Sequence, residues 1–352
     1  MRHLATIEKI VDVQPIENAD AIEKVKVREW WCVAKKGEFD IGDSCVYFEI
    51  DSLLPSSNPA FEFLAKGNHE KTVVIEGKEY KGYRLKTIRL RGQLSQGLAL
   101  PLSMFFGETS PYDPNSLEAE DALTSFLGIV KYEAPIPANL AGLVKGSFPS
   151  FLRKTDEERI QNCADILERR KGEKVYITEK LDGSSTTYYK KDGEFGVCSR
   201  NLELKDSEGN TQWTVAKQLG LIDKLPDGFS VQGEMIGEGI QGNPLKQVGH
   251  KFYAFNVFDI KEQKFLSENY LSEFLENYGI DMVPVLYWNV SLDYTVESIL
   301  ELANGNSVLC NEVPREGIVV RPMEEQEETI NGAISRFSFK AISNKYLLDY
   351  ES

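Results

Sequence analysis

A lysine followed by x-Asp-Gly is a chemically loaded tetrapeptide, and this chain carries one in Glu179-Lys180-Leu181-Asp182-Gly183-Ser184-Ser185. A primary amine, a carboxylate and the backbone N–H groups of a turn can be gathered there around a phosphate ester. That set suits covalent nucleotidyl transfer. Lysine is a poor nucleophile while protonated, so the site is expected to depress its pKa by burial or nearby cations, a bound metal adding to the effect. The tetrapeptide alone is a weak signal, because a polar hairpin turn is written with the same letters.

The flanks say how the lysine is held. Lys174-Val175-Tyr176-Ile177-Thr178 before it and Ser185-Thr186-Thr187-Tyr188-Tyr189 after it are β-branched and aromatic, so Lys180 is expected at a strand end with Asp182-Gly183 as the turn between two strands. Further motifs follow in order: Ser199-Arg200-Asn201, Val231-Gln232-Gly233-Glu234, Phe255-Asn256-Val257-Phe258-Asp259, Arg315-Glu316-Gly317-Ile318-Val319-Val320 and Phe337-Ser338-Phe339-Lys340. Each lies on or beside a β-type run. With this ordered set the chain resembles the covalent nucleotidyltransferases, the superfamily of polynucleotide ligases and mRNA capping enzymes.

The chain has 352 residues, 41% of them hydrophobic, and a formal net charge of -15. That length holds two or three domains. The acidic balance argues against nonspecific coating of nucleic acid and leaves room for a local basic groove. Cys32, Cys45, Cys163, Cys198 and Cys310 show no C-x-x-C spacing, so neither a zinc site nor a disulfide framework is expected. No apolar run approaches transmembrane length and the start of the chain does not read as a secretion signal. An intracellular, cytoplasmic or nuclear monomer without a membrane association is the expectation.

An α+β architecture is expected. Residues 1–125 read as short strands, at 4–13, 24–27, 30–34 and 44–50, broken by turn residues, and an OB-fold barrel is the choice. A basic run there carries Lys81, Arg84, Lys86, Arg89 and Arg91 with Tyr80 and Tyr83 interleaved; it suits an RNA backbone with bases stacked beside it, or a solvated strand face. Residues 126–148 are rich in Pro and Gly and read as a linker, preceded by a short helix at 117–127. Residues 149–352 are the nucleotidyltransferase (adenylation) domain, built on antiparallel sheets with flanking helices. It opens on a capping box, Thr155 with Glu158, predicting a helix over 155–162 that could also place Arg159 or Gln161 beside a nucleotide.

Within the superfamily, the chain ends soon after Lys340, leaving no expected room for the carboxyl-terminal OB domain of DNA ligases and capping enzymes, and its OB-like part comes first. That order, with Lys180-Leu181-Asp182-Gly183-Ser184-Ser185 and Phe337-Ser338-Phe339-Lys340-Ala341-Ile342-Ser343, resembles the RNA ligase 5 family of the Deinococcus/Naegleria type. The resemblance implies ATP-dependent joining of a 3′-OH RNA end to a 5′-phosphate end, typically at a nick, through lysyl-AMP. It implies Lys180 as the adenylated residue, Asp182 assisting metal or lysine positioning, Arg200 on ribose or the RNA end, Glu234 on ribose, Glu316 on Mg2+ or Mn2+, and Lys340 on the phosphate. Glu179 joins the nucleotide-binding set, and Phe258, sharing a strand face with Asn256, is expected to stack on adenine or to be an ordinary core aromatic. One departure stands out: related ligases often carry Lys-x-Lys in the last element, and Ser338 occupies the first of those places. Two other classes stay open, a DNA ligase or GTP-using capping enzyme, and a nucleic-acid binder with a dead transferase site.

Overall fold

The structure is a computed structural model that describes residues 3–66, 69–75, 77–106, 119–132, 142–330 and 333–350. The chain divides into two compact units, Met1–Ile136 with Leu347–Ser352, and Pro137–Tyr346.

In the first unit, alternating apolar residues build a five-stranded antiparallel sheet in the order Leu98–Pro101, Ser44–Phe48, Ala5–Pro15, Ile22–Val27, Trp30–Lys35. The Gln96 N–H donates to Trp31 O at 2.9 Å, tying the segment before the first of these strands to the last and curling the sheet upon itself. Buried Val25, Val27, Trp30, Cys45 and Tyr47 fill one interior. A second sheet runs Val130–Lys131, Ser52–Pro55, Lys78–Arg84, Lys71–Ile75, and a hairpin, Ile88–Leu90 with Gln93–Ser95, turns on Arg91 and Gly92, both at positive φ. The expected short helix is Ala119–Phe126.

The second unit holds two sheets. A seven-stranded one contains, side by side, Ser184–Lys191, Phe229–Gly237 and His250–Asp259; a five-stranded one runs Glu158–Arg159, Phe339–Ile342, Gly317–Pro322, Lys174–Lys180, Val285–Ser291. Each sheet packs its own apolar cluster: Val175, Ile177, Ile318, Val320 and Phe339 under one, Tyr188, Val231, Phe252 and Val257 under the other. Helix Val296–Ala303 closes the first, begun by a capping box of Thr295 and Ser298; Glu268–Tyr278 covers the second and stops at Gly279 in the left-handed conformation.

The expected linker supplies a strand to each unit: Val130–Lys131 pairs with Ser52–Pro55, and Val144–Ser147 with Leu202–Leu204. The helix expected over 155–162 is absent. Glu158–Arg159 pairs in parallel with Phe339–Ile342, followed by a short 3-10 turn, Ile160–Asn162. A local capping signal is outweighed here by sheet pairing and by the burial of Ile160.

Candidate active site

Lys180 ends its strand, and the chain then crosses to the other sheet instead of folding back as a hairpin: Lys174–Lys180 belongs to the five-stranded sheet and Ser184–Lys191 to the seven-stranded one. Leu181-Asp182-Gly183 is the crossing. Gly183 is required by close approach, since a Cβ there would stand 2.3 Å from Met235 O. The consequence is a cavity of about 370 Å³ whose walls come from both sheets, Thr178, Lys180, Val319 and Lys340 from one and Ser185, Glu234 and Phe255 from the other.

Pairing in register brings the acids to the lysine. Lys180 lies opposite Gly317, so Glu316 stands beside it, and the Lys180 ammonium donates to Glu316 Oε1 at 2.6 Å. Val319 lies opposite Lys340, which places that second cation on the next strand, and Ser185 lies opposite Glu234. Strand Phe229–Gly237 continues past Glu234, so this carboxylate rises from within the strand. Asp182 accepts from the Tyr346 hydroxyl.

The charges are strongly coupled. Burial works to lower the Lys180 pKa, but Glu316, Glu234 and Asp182 outweigh it and hold the amine above the ordinary lysine range. The expected depression is therefore absent in the protein alone: acids surround this lysine more closely than cations do. Glu234 is pushed up to about 8 by burial, against the attraction of Lys180 and with the help of Glu316 and Asp182. Lys340 is pushed down to about 8 by burial, Lys180 and Arg159. Glu179, with Val308 N donating to its Oε2 at 2.8 Å, is raised by burial.

Lys180, Asp182, Glu179, Arg200, Glu234, Glu316 and Lys340 all line the one cavity. Arg200 is half exposed and paired with Asp156 at 2.6 Å. Phe258 does not line it. The ring is fully buried with Tyr189, Leu152 and Ile260, and Phe255 takes its place. A bulge puts Phe255 there, since Gln232 pairs with Asn256 but Gly233 with Ala254, leaving Phe255 as the extra residue, whereas Phe258, opposite Ser230, lies further along the strand under Leu152 and Ile260. Arg159 and Gln161 also stay outside the cavity; from that segment Thr155, Asp156 and Glu157 enter it. Arg321, which sequence reasoning passed over, lines it too. Its only signal was a charge ending the apolar run Ile318-Val319-Val320.

In the other unit, Lys81 pairs with Glu79 at 3.0 Å. Arg84 pairs with Asp51 at 2.7 Å and lies over the Tyr132 ring at 4.9 Å. Lys86, Arg89 and Arg91 are exposed.

Two family models match the chain, one described as an OB-fold domain over residues 4–102 and one described as RNA ligase over residues 173–342. Among solved structures, the apo form of a mutant RNA ligase from Naegleria gruberi is 41% identical, with 98% of this chain and 97% of that one covered and a TM-score of 0.83. The chain belongs to the RNA ligase family. A mutant of the same Naegleria ligase with ATP and Mn is 42% identical, covering 98% of both chains at a TM-score of 0.82. The Naegleria ligase with PPi is also 42% identical, covering 99% of this chain and 98% of that one at a TM-score of 0.82. No curated protein matches. Membership in the RNA ligase family makes the cavity an enzyme's, and the first unit's curled sheet is the OB-fold half of an α+β ligase. Among the described residues no helix is long and apolar enough to cross a membrane.

Proposed function

We propose that this chain is an ATP-dependent RNA ligase that joins 3′-OH and 5′-phosphate ends, acting as a monomer on nicked duplex RNA through lysyl-AMP on Lys180. The observation that carries the reading is the Lys180 ammonium 2.6 Å from Glu316 in a cavity that also holds Asp182, Glu234 and Lys340. ATP and Mn in the Naegleria ligase structures support the choice of nucleotide and ion.

In the first step the Lys180 amine forms a bond to the α-phosphorus, the bond to pyrophosphate breaks, and the amine's proton has a carboxylate 2.6 Å away to receive it. Lys340 faces the α-phosphate, where negative charge builds. Glu234, whose carboxyl is pushed up by burial, meets the ribose hydroxyls, and Phe255 and Val319 bracket the base. AMP then passes to the RNA 5′-phosphate, with Arg200 at the cavity mouth near that end, and the 3′-OH displaces it.

Among the described residues no three His, Cys, Asp or Glu side chains are grouped to hold a metal by themselves. The oxygen donors Asp182 and Glu316 fit a hard ion that completes its shell with phosphate and water. Mg2+ or Mn2+ bound there supplies positive charge against the triphosphate and against the acids that keep Lys180 protonated.

Residues 1–125 serve the RNA, 149–352 the chemistry, and 126–148 join them. Lys86, Arg89 and Arg91 are the principal phosphate contacts, because Lys81 and Arg84 already have acidic partners.

Incubation with α-labelled ATP or GTP and divalent metal, followed by denaturing electrophoresis, tests the chemistry. Label is expected from ATP, not GTP, and Lys180→Met abolishes it; a mutant that labels like wild type removes Lys180 as nucleophile.

A further inference from the structure

The stretch from Lys340 to Tyr346 meets the site more than once. Lys340 lines the cavity from strand Phe339–Ile342. Ile342 lies opposite Gly317, and the Ser343 N–H donates to the Glu316 carbonyl at 2.8 Å. The chain then enters helix Asn344–Tyr350, where Tyr346 donates its hydroxyl to Asp182 Oδ2. One continuous stretch thus ties together the second lysine, the backbone that carries Glu316 and the acid on the crossing between the sheets.

Tyr346 is itself held in place for this contact. Its side chain is buried, its N–H donates to Ser343 Oγ at 3.2 Å, and the Ser343 hydroxyl donates on to Asn304 Oδ1 at 3.0 Å. Asp182, by contrast, stands in the cavity wall on the crossing, and the last torsion of an aspartate is broad and roughly two-fold. A carboxylate acceptor makes a shorter and stronger hydrogen bond than a neutral one, so the phenol selects one orientation of it. A buried tyrosine hydroxyl needs a partner of some kind. Here the partner is a group that the chemistry uses.

We propose that Tyr346 is a positioning residue for self-adenylation: its hydroxyl fixes the Asp182 carboxylate with Oδ2 engaged, leaving Oδ1 for the divalent ion that accompanies the triphosphate. The proposal rests on the transferase reading above and extends its machinery to a residue beyond the last motif. Tyr346 is not among the residues of the cavity wall, so it acts through Asp182. A group that orients an ion's ligand in this way is worth roughly tenfold to a hundredfold in metal affinity or rate. The helix that follows Lys340 is therefore part of the site, because its register decides whether the phenol reaches the acid.

The test uses the full-length protein as wild type, Tyr346→Phe, Asp182→Ala and the double variant, each checked for folding by thermal melting. Tyr346→Phe removes one oxygen and keeps the ring; Tyr346→Met, whose flexible chain fills irregular space, replaces it where it does not fold. Two quantities are read: the rate of lysyl-AMP formation from α-labelled ATP, and Mn2+ binding, followed by electron paramagnetic resonance of the free ion, in the presence of an ATP analogue whose α–β bridge cannot be cleaved. Tyr346→Phe is expected to lower kcat roughly tenfold to a hundredfold with KM for ATP little changed, and to weaken Mn2+ binding by a similar factor. In the Asp182→Ala background the same substitution is expected to leave Mn2+ binding where Asp182→Ala alone puts it, since the two residues act as one unit. A folded Tyr346→Phe with wild-type rate and Mn2+ affinity overturns the proposal, as does a further loss of Mn2+ affinity in the double variant. Failure of both Tyr346 variants to fold would assign the hydroxyl to the fold and overturn it too. Absence of label in the wild type would instead overturn the transferase reading, and this proposal with it.

Discussion

At the scale of single residues, the site separates two lysines that look alike in sequence. Lys180 is held protonated by the acids around it, while Lys340 is pushed down to about 8 by burial and by neighbouring cations. A buried lysine whose folded pKa lies below its ordinary 10.5 binds fewer protons folded than unfolded over pH 8 to 10.5, so its contribution to stability rises with pH in that window and its full penalty is felt below it. Lys340→Met is therefore expected to raise the melting temperature at pH 7, by about 1–3 kcal/mol of stability, with the gain fading as pH climbs through 8 toward 10.5. Adenylation is expected to be lost at every pH. Calorimetry of the two proteins at pH 7 and 10 checks it; a mutant less stable than wild type at pH 7 would mean that Lys340 is well paired in the fold and not strained for catalysis.

At the scale of elements, the site depends on a crossing and a bulge. Gly183 passes so close to strand Phe229–Gly237 that an added methyl would meet Met235 O at 2.3 Å, Ile236 Cγ2 at 2.9 Å and Glu234 Cγ at 3.0 Å. Gly183→Ala is expected to cost about 1–3 kcal/mol and to reduce adenylation beyond that loss, because the strand that must yield carries Glu234. Denaturant unfolding beside labelling from ATP separates the two effects, and a variant with normal labelling would show that the crossing has slack. The strands at 4–13, 24–27, 30–34 and 44–50 were legible because half-buried strands alternate and their turns carry Gly, Asn and Asp. The motif lysines and acids were legible because their spacing is chemical. Phe255 was not, since a one-residue bulge leaves no mark in a run of aromatics, and neither was the fate of Thr155 to Asn162, whose capping box is locally sound. Glu157 and Arg321 lie 164 residues apart, and no local pattern announces a pairing made through the sheet.

At the scale of the molecule, the proposed chemistry and the proposed RNA contact fall on different units. Every residue of the cavity lies within Pro137–Tyr346, whereas Lys86, Arg89 and Arg91 belong to the OB-fold, whose exposed basic hairpin stands out in a chain of net charge -15. Binding to a phosphate backbone releases counterions in proportion to the phosphates neutralised, so the RNA step should carry a steep salt dependence that self-adenylation lacks. Replacing Lys86, Arg89 and Arg91 together by Ala is expected to leave lysyl-AMP formation unchanged. It should weaken sealing of a nicked RNA duplex more than tenfold at moderate salt and make log affinity less steep in log salt by up to about three. Filter binding across a salt series, run beside the labelling assay, measures both. A triple variant that seals as well as wild type with the same slope would move the RNA footprint off this hairpin, and one that fails to form lysyl-AMP would show that the two units cannot be assigned separate tasks.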